Sequence, residues 1–126
     1  MWGTLVLVAV ERGQHIHNSV LPDDADIAIA AVTASELLVG VELADAQRQA
    51  PRRAILAAFD VIAFDLDVAR HHATLLAHAR RTGRPRGAHD LLIAATARAT
   101  ARVLITTDGH AFNDLPAVQH RVVSRQ

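Results

Sequence analysis

Residues 87–112 read GAHDLLIAATARATARVLITTDGHAF. The first half predicts a helix opened by Asp90. Leu91, Leu92, Ile93, Ala94, Ala95, Ala97 and Ala99 cover most of its surface, so it suits a helix buried against a sheet. Val103, Leu104 and Ile105 then form a short apolar strand, closed by the turn chemistry of Thr106, Thr107, Asp108 and Gly109. Two carboxylates, Asp90 and Asp108, are thereby placed at the ends of two regular elements.

A chain of 126 residues is one domain by size, spanning residues 1–126, and is long enough for one real core. Three Phe and one Trp leave that core to Val, Leu, Ile and Ala. With no cysteine there is no disulfide framework and no thiolate metal site, which suits a reducing, cytoplasmic setting. The formal charge of +0 argues against binding nucleic acid by bulk charge alone. The longest apolar run, residues 5–10, falls far short of the ~20 residues that cross a membrane. No positive charge precedes that run, so it makes a poor signal peptide.

Taken in order, residues 5–10 predict a strand by β-branched content, or the apolar part of a short helix ending at Gly13. Asp23, Asp24 and Asp26 sit in a Pro-containing segment and read as a solvated loop rather than a metal cluster. Residues 27–32 predict a strand. Thr33 and Glu36 then form a capping box, with Thr33 capping a helix that runs to about residue 47 and Glu36 reaching back to the cap amide. Pro51 suits the first turn of a further helix. Residues 61–64 predict a strand, and Asp65 caps a long helix over 66–81. His71, His72 and His78 lie on that helix without an acid or cysteine at ligand spacing, which favours a surface role over zinc. Arg80, Arg81, Arg84 and Arg86 cluster directly before Asp90. They suit either a phosphate backbone or a helix C-terminus.

Each acid has an ordinary structural explanation. Glu36 fits the capping box, Asp90 favours the dipole of a helix start, and Asp108–Gly109 is a common turn pair. Their joint placement says more. The alternation of strands and helices predicts an α/β fold with a mostly parallel sheet, whose ligands bind beyond the carboxyl ends of strands. Glu36 and Asp108 each follow a strand. Asp90 opens a helix antiparallel to the strand it feeds, so it falls at the same edge. Three carboxylates there would repel one another unless a cation lay between them. All-oxygen donors favour Mg²⁺ or Mn²⁺.

Val32-Thr33-Ala34-Ser35-Glu36-Leu37, Asp90-Leu91-Leu92-Ile93-Ala94-Ala95 and Leu104-Ile105-Thr106-Thr107-Asp108 with Phe112 resemble the PIN-domain ribonucleases. In spacing and size the chain is most similar to the toxin half of VapBC-type toxin–antitoxin pairs. The likeness covers nearly the whole sequence, including Asn113-Asp114-Leu115-Pro116 before a last strand at 119–123. It implies a three-layer α/β/α fold and a Mg²⁺-dependent (or Mn²⁺-dependent) endoribonuclease. Glu36, Asp90 and Asp108 would be the catalytic, metal-holding acids, with Thr107 and Thr4 in support and Arg84 and Arg86 on the RNA. It also implies a VapB-type antitoxin as partner and a toxin homodimer. One departure follows: Gly3 stands where the family's first metal Asp belongs, beside a matching Thr4. On that alignment residues 5–12 become the first helix and the first strand is shortened or absent. The alternative function is a catalytically impaired PIN-like protein that binds an antitoxin or RNA without cleaving it.

Overall fold

Leu5-Val6-Leu7-Val8 alternates its side chains between two faces, and both faces are buried beyond Leu5. That is the pattern of a strand in the middle of a parallel sheet, covered on both sides. In the computed structural model, which describes residues 5–9 and 25–123, it is the central strand, β1 (Leu5–Val8). It is followed by β2 (Asp26–Ala30), α1 (Ala31–Leu43), α2 (Ala46–Ala57), β3 (Asp60–Ile62), α3 (Leu66–Thr82), α4 (Ala88–Ala99), β4 (Val103–Thr106) and β5 (His120–Val122). The strand order is β3-β2-β1-β4-β5, and every pairing is parallel.

The expected first helix over 5–12 is therefore corrected where it can be judged: residues 5–8 are strand, and 10–12 lie outside the described residues. The first strand is neither absent nor peripheral. β-Branched residues alternating at period two favour the strand, and pairing with both β2 and β4 satisfies the backbone on both sides.

The faces of the sheet sort the helices into layers. Leu7, Ala28 and Leu104 face one core with Val68 and Leu75 of α3 and Leu91, Ala94 and Ala95 of α4. Val8 and Ile29 face the other side, packed with Ala34 and Leu37 of α1 and Leu56 of α2. The expected three-layer α/β/α arrangement is present. A further fastening lies at the amino edge. Arg102 Nη1 donates to the carbonyls of Val6 (3.1 Å) and Asp26 (2.7 Å), pinning β1 to β2.

Several boundaries move. Helix α1 begins at Ala31 with Ala30 as an N-cap that offers no side chain, so the expected capping box is not formed. Thr33 is instead inside the helix, buried, and its hydroxyl has no partner among the described residues. A second helix starts after Asp45, whose side chain accepts from the Arg48 amide at 3.1 Å. Pro51 lies within α2 rather than in its first turn. Asp65 does cap α3, accepting from the Val68 amide at 2.9 Å, and Gly83 ends it in the left-handed region at φ 64. Asp26 belongs to β2 and pairs with Arg102, whereas Asp23 and Asp24 lie outside the described residues.

Candidate active site

The chain crosses from one half of the sheet to the other between β3 and β4, so β1 and β4 meet where the strand order reverses. A crevice outside the carboxyl ends of the strands is expected at such a switch point. The three acids gather around it. Asp108 lies two residues beyond β4, Asp90 is the third residue of α4, and Glu36 is the sixth residue of α1.

Asp108 is fixed by its own turn. Its Oδ1 accepts from the amides of His110 (3.0 Å) and Ala111 (3.3 Å). Its backbone amide donates to Thr106 Oγ1 at 3.0 Å. Thr106 is fully buried at the end of β4, so the hydroxyl that orients this turn is rigidly held. Sequence reasoning gave Thr106 no role beside Asp108; the inward half of the strand's alternation is the signal that could have found it.

Asp90 sits in the first turn of α4, which starts at Ala88 behind the N-cap Gly87. A Cβ added at Gly87 would lie 2.9 Å from Asp90 Oδ2, so the glycine leaves the room that this carboxylate occupies. Burial pushes the Asp90 carboxyl up from its ordinary range, and the negative field of Asp108 pushes it further. His89 and Arg86 pull it back, and Glu36 adds a smaller upward push. Both other acids thus act electrostatically on Asp90.

Glu36 is held differently. His89 Nδ1 lies 2.5 Å from its Oε1, a contact that joins α4 to α1 across the carboxyl edge. His89 was not singled out in the sequence. Its neighbour Asp90 drew the attention, and contact with a residue more than fifty positions away leaves no local pattern.

The two expected RNA-binding arginines are both engaged within the chain. Arg84 Nη1 forms an ion pair with Asp114 Oδ2 at 2.7 Å, which lowers the Asp114 carboxyl by hydrogen bonding and charge. Arg86 donates to the carbonyls of Ala111 (3.1 Å) and Asn113 (2.5 Å). Behind Arg86, a cleft of about 300 Å³ between α3 and α4 is lined by Leu76, Ala79, Arg80 and Leu91. None of the three acids lines it.

Three carboxylates supply the hard oxygen donors that Mg²⁺ or Mn²⁺ prefers. Yet among the described residues no three His, Cys, Asp or Glu side chains stand close enough together to hold a metal. The donor types fit a divalent cation, and the grouping in this structure falls short of a closed site. Ala9, which follows β1, donates its amide to the Ile105 carbonyl at 2.9 Å and offers no carboxylate there. Gly3 and Thr4 lie outside the described residues.

A parallel sheet in the order 3-2-1-4-5 with acids at its switch point is the frame on which comparison with known proteins bears. A model of the PIN domain matches residues 4–118, and the chain belongs to the PIN-domain family. Among curated relatives, Ribonuclease VapC5 of Mycobacterium tuberculosis is 36% identical over 110 residues, covering 83% of this chain and 79% of that protein. The tRNA(fMet)-specific endonuclease VapC of Salmonella typhimurium is 25% identical, covering 92% of this chain and 89% of that one. The crystal structure of VapBC-5 from Mycobacterium tuberculosis, a member of the VapBC family of toxin–antitoxin systems, superposes with a TM-score of 0.75 at 29% identity. That match covers 95% of this chain and 99% of the other.

Proposed function

We propose that this chain is a metal-dependent endoribonuclease, the toxin of a type II toxin–antitoxin pair. The observation that carries the reading is the Asp90–Asp108 pair at the switch point, where burial and then the charge of Asp108 raise the Asp90 carboxyl. The names of the relatives support RNA as the substrate class.

Asp90 and Asp108 would hold Mg²⁺ or Mn²⁺, with Glu36 reaching it directly or through water. A cation held there would supply Lewis-acid chemistry toward water and the phosphate. The chain's own residues set the stage. Gly87 leaves space for the Asp90 carboxylate, and the two amides on Asp108 Oδ1 fix that group's rotation. Thr107 is assigned to orient Asp108 or water beside it. Arg84 is the more exposed of the two arginines and is assigned to the RNA backbone.

The partner is an antitoxin. Leu38, Val39 and Leu43 of α1 and Ile55 of α2 are exposed, Leu43 at 76%, on the layer that also carries Glu36. An apolar surface of this kind suits a partner segment that covers it. Gly3, which stands where the family's first metal Asp belongs, favours a second reading, in which the chain binds antitoxin or RNA without cleavage. Cleavage of RNA by the purified chain in Mn²⁺ separates the two. Activity lost in Asp90→Asn and Asp108→Asn supports the nuclease. RNA left intact, with antitoxin still bound, supports the second reading.

A further inference from the structure

Arg86 precedes α4 by two residues and Asp90 by four. Its side chain crosses to the loop after β4, with Nη1 on the Ala111 carbonyl and Nη2 on the Asn113 carbonyl. Ala111 is therefore bonded twice: its amide donates to Asp108 Oδ1, and its carbonyl accepts from Arg86. A planar guanidinium presents two parallel donors in a fixed fork, which suits two carbonyls of one bent segment and which an ammonium cannot reproduce. We propose that Arg86 is a positioning residue for the acidic pair, tying the loop that carries Asp108 to the turn that launches Asp90. Its effect on metal affinity rests on the nuclease reading above; the tether itself does not.

The loop has a second fastening further out. His78 Nε2 lies 3.1 Å from the Asp114 carbonyl, and Arg84 pairs with the Asp114 carboxylate. Asp114 adopts a positive φ of 62, so this end of the loop takes a bend that its contacts must hold. Those contacts are exposed, and exposed ion pairs contribute little. The bond from Arg86 to Ala111 is partly buried and closer in sequence to Asp108, which makes Arg86 the stronger constraint on the acid.

The test is amide hydrogen exchange on the metal-free chain, comparing Arg86→Gln with wild type and with Arg81→Gln, an exposed control at the end of α3. Mn²⁺ titration by calorimetry and RNA binding at several salt concentrations follow on the same proteins. Arg86→Gln is expected to speed exchange at the His110 and Ala111 amides by about fivefold or more while α3 and α4 stay protected. It is also expected to weaken Mn²⁺ binding several-fold, with partial recovery in Arg86→Lys and no change in Arg81→Gln. Unchanged exchange at His110 and Ala111 overturns the tether. Faster exchange with unaltered Mn²⁺ affinity overturns the positioning role. A reduced salt slope with unchanged exchange would make Arg86 an RNA contact instead. If wild type itself binds no Mn²⁺, the nuclease reading fails, and the exchange data still decide the tether.

Discussion

At Gly87 the chain gives up a methyl group to make room for a carboxylate. The backbone there, φ −59 and ψ 140, is open to any L-residue, so an alanine would be strained only by Asp90 Oδ2 at 2.9 Å. A flexible carboxylate can swing away at small cost. The changes in N-cap preference and unfolded-state entropy are each about 1 kcal/mol or less and opposite in sign. Gly87→Ala should therefore leave the melting temperature within about 3 °C of wild type. On the proposed role of Asp90, it should cut cleavage about tenfold or more, because a metal-holding carboxylate displaced by a fraction of an ångström loses its alignment. Thermal denaturation and a cleavage assay on the same preparation check both halves. Asp90 makes a separate prediction. Its carboxyl is raised, chiefly by burial, so the native state holds its proton more tightly than the unfolded chain does. That group's contribution to stability is thus lost as pH rises through the unfolded value toward the raised native one, the reverse of a salt-bridged carboxylate. Asp90→Asn should then be at least as stable as wild type at pH 7 while failing in metal binding. Denaturant melts at pH 4 and pH 7 read this directly, and the advantage of the variant should shrink at the lower pH. Both acids could be named from the sequence because turn and helix-start chemistry is local. Gly87, His89 and Thr106 could not, because their importance comes from contacts and burial that no short window encodes.

The elements behave likewise. Helices α3 and α4 are legible because the Asp65 cap and the alanine-rich run at 91–97 are local signals, although α4 starts at Ala88, two residues before Asp90, behind an N-cap Gly87 that offers no side chain. At the start of α1, Thr33 and Glu36 imitate a capping box, while the strand before them turns directly into helix at Ala31. Residues 5–8 fit two descriptions, and the central position between β2 and β4 selects strand. Leu75 is a clean test of the α3–α4 layer, being fully buried in the core shared by both helices. Leu75→Ala should cost about 2–5 kcal/mol by denaturant unfolding, the range for a buried leucine that leaves a cavity. On the opposite layer, Leu43→Glu changes a side chain that is 76% exposed and should leave stability within about 0.5 kcal/mol of wild type. If α1 is part of the antitoxin surface, the same substitution should weaken antitoxin binding at least tenfold. Unaltered affinity would remove α1 from that surface.

For the whole molecule, the parallel sheet and its helical layers follow from strand–helix alternation, and the matched PIN domain spans residues 4–118. The order of the strands then brings Asp108, Asp90 and Glu36 to one edge from three distant parts of the sequence. How tightly they draw together is the part that sequence order does not specify. Glu36 answers to His89, and Ala9 offers no acid at the end of the central strand. Calorimetric titration of the purified chain with Mn²⁺, beside Asp90→Asn and Asp108→Asn, tests the central claim most directly. The account predicts saturable binding by the wild-type chain and its loss in both variants, with each variant still folded. No binding by the folded wild-type chain at millimolar Mn²⁺ would contradict it.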